Sequence, residues 1–335
     1  MRPCPRQPLR LGDQVMSPSR WRHLDELELR ARPHPKRDPT ELVDPDRDKR
    51  PACRDAVDDL RNRHGFVGNA HPTRLPDVEP VYGTVIQLAR LAWRVQGLKF
   101  TVTGVENLPR TGGAVVAINH TSYFDFTFAG LPAYKQHLGR KVRFMAKKEV
   151  FDDQISGPLM RGMHHIEVDR GDGSGSFEQA CRALKEGELV GVYPEATISR
   201  SFEIKAFKSG AARMAIAADV PIVPHIVWGA QRIWTKGHPK NMRRPKVPIS
   251  VAVGEPIMPT LPPTELTALL HSRMQHLLER VQDAYGPHPP GEFWVPHRLG
   301  GGAPSLAEAN RMDAEEAAQK AARRAQRADP TGAPG

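Results

Sequence analysis

In the stretch Ala117-Ile118-Asn119-His120-Thr121-Ser122-Tyr123-Phe124-Asp125-Phe126, an apolar β-type run breaks at a polar Thr-Ser pair and resumes as a hydrophobic helical pattern. His120 therefore falls at a strand end, where a side chain can face a cleft. Asp125 falls in the first helical turns. On one continuous helix, residues five apart point about 140° away from each other. A strand–turn–helix bend removes that obstacle, letting the carboxylate hold one imidazole nitrogen while the other stays free, as a general base requires. The pair then resembles a Ser-His-Asp triad without its serine, and a substrate hydroxyl would take the nucleophile's place.

The same spacing recurs at His164 and Asp169. There the intervening residues alternate like a strand, so the two ends are expected on opposite faces. No catalytic role is assigned to that pair.

Outward from the first stretch, short apolar runs alternate with helical ones. Strands are predicted at Gly113–Ile118, Val142–Ala146, His165–Val168, Leu189–Tyr193, Ile222–Ile226 and Ile249–Val253. Helices are predicted at Tyr123–Leu131, Gly157–Gly162, Ser174–Glu186, Lys208–Ala218 and Thr264–Tyr285. Such alternation implies an α/β domain, a mainly parallel sheet flanked by helices with its site at the strand ends. No Gly-rich segment has the spacing of a nucleotide-binding loop.

Before this region, Val81–Phe100 reads as a basic amphipathic helix with Val85, Leu88, Ala92 and Val95 on one side and Gln87, Arg90 and Arg94 on another. With Trp93 it suits an anionic membrane interface, and packing on the domain suits it equally. The ends differ from the middle. Residues 1–78 mix Pro, Arg and Asp and bury too little to offset their ordering entropy, so they are expected to be largely disordered, with a short helix fitting at Trp21–Arg30. Residues 291–335 are expected to be a largely disordered tail with a transiently helical Ala/Glu/Arg stretch. The α/β domain is assigned to residues 101–290, behind an interfacial helix at 79–100.

The chain of 335 residues carries a net charge of +10, which favours anionic partners such as acidic headgroups and phosphorylated substrates. Its three cysteines, Cys4, Cys53 and Cys181, are far apart with no CxxC, which suggests neither a disulfide framework nor a metal site and fits a reducing cytoplasm. No signal-peptide pattern and no apolar run long enough to span a bilayer are visible.

Four blocks occur in order: Asn119–Asp125, Gly162–Arg170 ending in Asp-Arg, Tyr193-Pro194-Glu195-Ala196-Thr197, and Val220-Pro221-Ile222-Val223-Pro224. Together they resemble the glycerolipid acyltransferase family, whose best-known members are the 1-acylglycerol-3-phosphate acyltransferases. The resemblance covers about residues 81–260. It implies that His120 is the general base and that Asp125 orients it, with Asn119 beside them at the substrate. By the same resemblance Arg170 binds the acceptor's phosphate, Glu195 with Thr197 binds near its glycerol, and Lys208 in the Phe207–Ala211 segment is a second phosphate contact. The implied donor is acyl-CoA or acyl carrier protein, and the implied acceptor is a lysophospholipid or glycerol 3-phosphate. No bound cofactor or metal is implied. The implied place is the cytoplasmic face of a membrane. A non-catalytic protein that binds anionic lipid remains the alternative.

Three positions depart from the family pattern. Ala196 stands for Gly, Ile198 for Arg, and Glu167 for a small or apolar residue. If the Gly position needs a positive φ, Ala196 strains that turn. Arg200, Lys205 and Lys208 are the candidates to replace the lost Arg. Five basic residues without an acid, Lys236, Lys240, Arg243, Arg244 and Lys246, are flanked by Trp228 and Trp234 and suit an anionic bilayer, a solvated loop equally, or RNA. No nucleic-acid recognition pattern accompanies them, so no nucleic-acid partner is expected.

Overall fold

The computed structural model describes residues 79–135, 139–169 and 173–328. The expected disorder of 1–78, the helix at Trp21–Arg30 and the side chain of Arg170 lie outside these residues.

The strands are β1 (Lys99–Thr103), β2 (Ala114–Ile118), β3 (Val142–Lys147), β4 (Ile166–Val168), β5 (Leu189–Val192), β6 (Ile222–Trp228) and β7 (Pro248–Val253). They form one seven-stranded sheet in the order β1-β7-β6-β2-β5-β3-β4. Every neighbouring pair is parallel except β6 with β7, so β1 and β7 run against the other five. The mainly parallel sheet read from the sequence is present. The exception has a local cause: a parallel return needs a crossover that is usually helical. Between β6 and β7 lie only a short 3-10 turn (Ala230–Arg232) and the basic loop.

Every residue of β2 is buried, because both of its faces are covered. Val115 and Ala117 join a core with Val190, Val192, Ile222 and Ile226. That core lies under helices α6 (Gly173–Lys185), α7 (Gly210–Ala218) and α8 (Pro263–Tyr285). Val116 and Ile118 point the other way, toward Phe128, Phe144, Val223 and Val227. The predicted helix at 123–131 is two short ones, α2 (Asp125–Ala129) and α3 (Leu131–Lys135). After β3 come α4 (Lys148–Asp152) and α5 (Ser156–Gly162).

The first helix, α1 (Pro80–Gln96), ends four residues before the predicted boundary. Gly97 takes a left-handed conformation (φ 70°), its amide caps the last turn, and the chain leaves as β1. The helix is also rotated from the expected face. Tyr82, Val85, Ile86 and Trp93 pack inward, with Trp93 against Phe100 and Phe128, while Leu88 (61% exposed), Leu91 (56%) and Val95 (66%) point out. Gly162 on α5 is needed there, since a Cβ would lie 2.9 Å from Val81 Cγ1.

The tail departs most from expectation. Trp294, Val295, Ala303 and Ala309 are buried, and Leu306–Ala328 forms α9. A capping box starts this helix: Ser305 N donates to Glu308 Oε2 (2.9 Å) and Glu308 N to Ser305 Oγ (3.3 Å). The capping residues Ser305 and Glu308 sit within a polar, Gly- and Ala-rich composition that by itself points to disorder. Among the described residues, no helix is long and apolar enough to cross a membrane.

Candidate active site

β2 and β5 are parallel neighbours, so the loops after both emerge at the same edge of the sheet. In open α/β sheets that carboxyl edge is where ligands bind. His120 follows β2. The turn Tyr193–Ala196 follows β5 and is closed by Ala196 N on Tyr193 O (3.0 Å).

The bend between β2 and α2 brings the predicted pair together, with His120 Nδ1 3.1 Å from Asp125 Oδ2. The same oxygen accepts the amides of Thr121 and Ser122, each at 2.7 Å. Asp125 is fully buried. Burial pushes its carboxyl up, and the bonds from His120, Ser122 and Thr121 pull it back without reversing the shift. Three donors on one oxygen are what let a carboxylate occupy such a place. The His120 side chain is 21% exposed, so its ring reaches the surface while its Nδ1 edge stays inside. The Tyr193 ring stacks on it, centroids 4.1 Å apart and 24° from coplanar, which limits how the imidazole can turn.

Glu195, expected at the acceptor's glycerol, is engaged by two backbone amides. It is 5% exposed, Oε1 accepts His120 N (2.8 Å), and Oε2 accepts Lys205 N (3.1 Å). Burial pushes its pKa up to about 8 against the pull of those two amides. It ties the β2 loop to the β5 loop. Asn119 is also held by the fold: Nδ2 donates to Val227 O (3.1 Å) and Oδ1 accepts Val227 N (2.7 Å), which extends the β2–β6 pairing past the strand end. Thr197 accepts Lys205 Nζ at 2.8 Å. Lys208 is exposed, and its amide is fixed to Pro194 O (2.9 Å) beside the turn.

Ala196 has φ 61°, so the turn does need the left-handed conformation that Gly adopts freely. Ile198 is 7% exposed and packs inward, so the position of the family's Arg points into the core. Of the candidate replacements, Arg200 and Lys205 are paired with Asp313 on α9, a partner the sequence reading did not foresee. Tyr193 was also missed, having no signal beyond its place in the third block.

A second support comes from the β6–β7 loop. Ser122 Oγ donates to Trp234 O (2.7 Å) and Thr235 Oγ1 to Thr121 O (2.7 Å), while the Trp234 ring lies against Tyr123 (4.4 Å) and Phe124 (5.5 Å). Trp228 is fully buried in β6 and so is not an interfacial anchor, while Trp234 is half-buried.

The Acyltransferase family model matches residues 99–228, which holds β1, the His120 turn and the β5 loop. A 1-acyl-sn-glycerol-3-phosphate acyltransferase from Bacillus subtilis (strain 168) is 31% identical over 156 residues, 45% of this chain and 70% of that one. One from Limnanthes douglasii is 29% identical over 209 residues, 61% of this chain and 68% of that one. The crystal structure of a 1-acyl-sn-glycerophosphate acyltransferase from Thermotoga maritima aligns with TM-score 0.49 and 20% identity, covering 69% of this chain and 91% of that one. Since it spans more than two thirds of the Bacillus relative at 31% identity, this chain belongs to the acyltransferase family and is an O-acyltransferase.

Proposed function

We propose that the protein transfers a fatty acyl group from a thioester, acyl-CoA or acyl carrier protein, to the free hydroxyl of 1-acylglycerol 3-phosphate, giving phosphatidic acid. The observation that carries the chemistry is the His120–Asp125 bond at 3.1 Å on a ring that still reaches solvent. The acceptor is inferred from what the relatives are named for.

With Nδ1 bonded to Asp125, Nε2 of His120 is the free base. It takes the proton of the acceptor hydroxyl as that oxygen attacks the thioester carbonyl carbon. The new C–O bond forms, the C–S bond breaks, and the proton passes from Nε2 to the leaving thiolate. Proton transfer by a positioned base such as His120 is worth typically about 10²–10⁴-fold in rate, and Asp125 stabilises the imidazolium between these steps. Arg170 and Lys208 are proposed to hold the acceptor's phosphate, where a guanidinium fork and an ammonium suit a dianion.

The enzyme is proposed to work at the cytoplasmic face of an anionic bilayer. Leu88, Leu91 and Val95 form an exposed apolar stripe on α1 beside the exposed Arg90 and Arg94. The end of α1 is joined to the basic loop, with Gln96 Nε2 donating to Met242 O (3.4 Å) and Lys246 N to Gln96 O (3.1 Å). Met242 (47% exposed), Arg243 and Arg244 thereby continue the same apolar and basic surface, the composition that interfacial binding needs.

Labelled acyl-CoA offered with a panel of lysolipids and glycerol 3-phosphate tests the reaction. Phosphatidic acid from lysophosphatidate is expected. Labelling of glycerol 3-phosphate alone would replace the acceptor, and no labelled lipid with any acceptor would end the proposal. Sedimentation with anionic vesicles tests the surface, where Leu91→Glu should abolish binding and leave the fold intact.

A further inference from the structure

Three cations come from loops that are tied to the His120 turn. Arg200 follows Ser199, whose amide donates to His120 O at 2.7 Å. Lys205 gives its own amide to Glu195, whose other oxygen holds His120 N. Lys236 follows Thr235, whose hydroxyl donates to Thr121 O.

The charged ends of all three converge on α9. Asp313 accepts Arg200 Nε (3.3 Å), Lys236 Nζ (2.8 Å) and Lys205 Nζ. Glu316 accepts Arg200 Nη2 (3.0 Å) and Lys236 Nζ (2.6 Å), and also pairs with Lys320 on its own helix. Lys205 Nζ in addition donates to Thr197 Oγ1. The five side chains are between 11% and 27% exposed, so the cluster is shielded yet opens to solvent. One guanidinium and two ammonium groups around a set of anionic oxygens make the donor set that binds phosphate.

Helix α9 has little else to hold it. On the face formed by Leu306, Ala309, Asp313 and Glu316 only Ala309 is buried, and beyond it no described residue of the helix is. An element with so few buried apolar contacts opens at low free-energy cost. Its ion pairs are also weakened by salt.

We propose that Arg200, Lys205 and Lys236 form a phosphate-binding site beside the His120 turn, which Asp313 and Glu316 occupy, so that α9 and a phosphate-bearing ligand compete for it. Two carboxylates stand where one phosphate dianion would bring the same charge to the three cations. The ligand is a phosphate group carried by substrate: one on CoA, or that of the lysolipid acceptor, which would then be held here in place of Arg170 and Lys208. That assignment of the ligand's source rests on the acyl-transfer reading above, but binding of phosphate itself does not.

The full chain and its Asp313→Asn/Glu316→Gln variant are titrated with inorganic phosphate by calorimetry. The variant should bind at least about 5-fold more tightly, and adding Arg200→Gln and Lys236→Gln should remove the gain. In kinetics, the same carboxylate variant should lower KM about 5-fold for the phosphate-bearing substrate with kcat little changed. A drop for lysophosphatidate and not monoacylglycerol assigns the acceptor's phosphate. A drop for acyl-CoA and not acyl-pantetheine assigns the donor's. In the wild type, phosphate should speed amide exchange in α9 beyond Ala309 by more than chloride does at equal ionic strength. Equal phosphate affinity of variant and wild type, or exchange in α9 that phosphate speeds no more than chloride does, overturns the site. Phosphate binding without acyl transfer to any acceptor would overturn the proposed reaction and leave the site standing.

Discussion

His120 and Asp125 stand five residues apart, and so do His164 and Asp169. Between the first pair the chain turns sharply, and the amides of Thr121 and Ser122 aim at one carboxylate oxygen from 2.7 Å. Between the second pair runs the short strand β4. His164 sits exposed at φ 56°, and Asp169, 47% exposed, meets Lys148 Nζ at 3.5 Å. The difference lies in the backbone between the residues. A turn gathers donors onto a carboxylate and presents the ring to it, whereas a strand carries its two ends to separate surroundings.

The largest expected effect separates the two pairs by activity. His120→Ala should lower kcat by about 10²–10⁴-fold, the usual contribution of a general base, while His164→Ala leaves it unchanged. Asp125→Asn should cost nearly as much, because an amide cannot both accept from two backbone N–H groups at one oxygen and hold the imidazolium charge. Asp169→Asn should change little. Steady-state rates of the four variants, each with a circular dichroism spectrum to confirm folding, make the comparison. Equal losses at the two histidines would show that backbone geometry does not distinguish them.

A second test concerns what holds the non-catalytic segment in place. Arg143 Nη1 donates to Met163 O (3.0 Å), next to His164, and pairs with Glu79 (2.6 Å) and Glu188 (3.1 Å). Glu79 is held at a pKa of about 2: burial works against its charge, and the Arg143 and Lys141 cations more than offset that. Its folded pKa is depressed, so its stabilisation is present above the ordinary value near 4.5 and is lost as pH falls toward about 2. Removing one partner of a buried pair costs roughly 3–5 kcal/mol. Glu79→Gln should cost less, about 2 kcal/mol, since Glu188 still pairs with Arg143. Urea unfolding at pH 7 measures that loss. The same titration from pH 5 to 2 should show a shallower decline in the variant than in the wild type, and parallel declines would remove Glu79 from the account.

How much of this was legible in the sequence follows the same division between spacing and backbone. The strands around β2 could be read because buried β-strands are written as unbroken apolar runs, Ala114–Ile118 above all. His120 and Asp125 could be read because a polar break lay between two apolar patterns. Glu195 could be placed in the site but not given its role, since nothing local tells a carboxylate whether it will meet a ligand or two backbone amides. The facing of α1 was misjudged because apolar residues lie on both of its sides, and only packing on Phe100 and Phe128 chooses between them. Asp313 and Glu316 were invisible as partners of Arg200, Lys205 and Lys236. Their pairing spans 77 or more residues and is specified by tertiary placement alone.

The smallest expected effect lies in the β5 loop, where the turn next to the dyad carries a residue ill suited to it. Ala196 is exposed and holds φ 61° while its amide closes the turn on Tyr193 O. A Cβ in that conformation crowds the carbonyl, at about 1–2 kcal/mol per residue. Glycine relieves the clash but returns chain entropy to the unfolded state, and that offsets roughly 0.4–1 kcal/mol of the gain. Ala196→Gly should therefore stabilise the protein by about 0.5–1 kcal/mol, or roughly 2 °C in Tm for a domain of this size. A lower Tm would mean that the loss of unfolded-state constraint outweighs the strain. The variant also sharpens the comparison of the two pairs. If the strained turn presses Tyr193 against the His120 ring, relaxing it should change kcat, while a turn that merely tolerates Ala leaves kcat as it was and moves only the melting point.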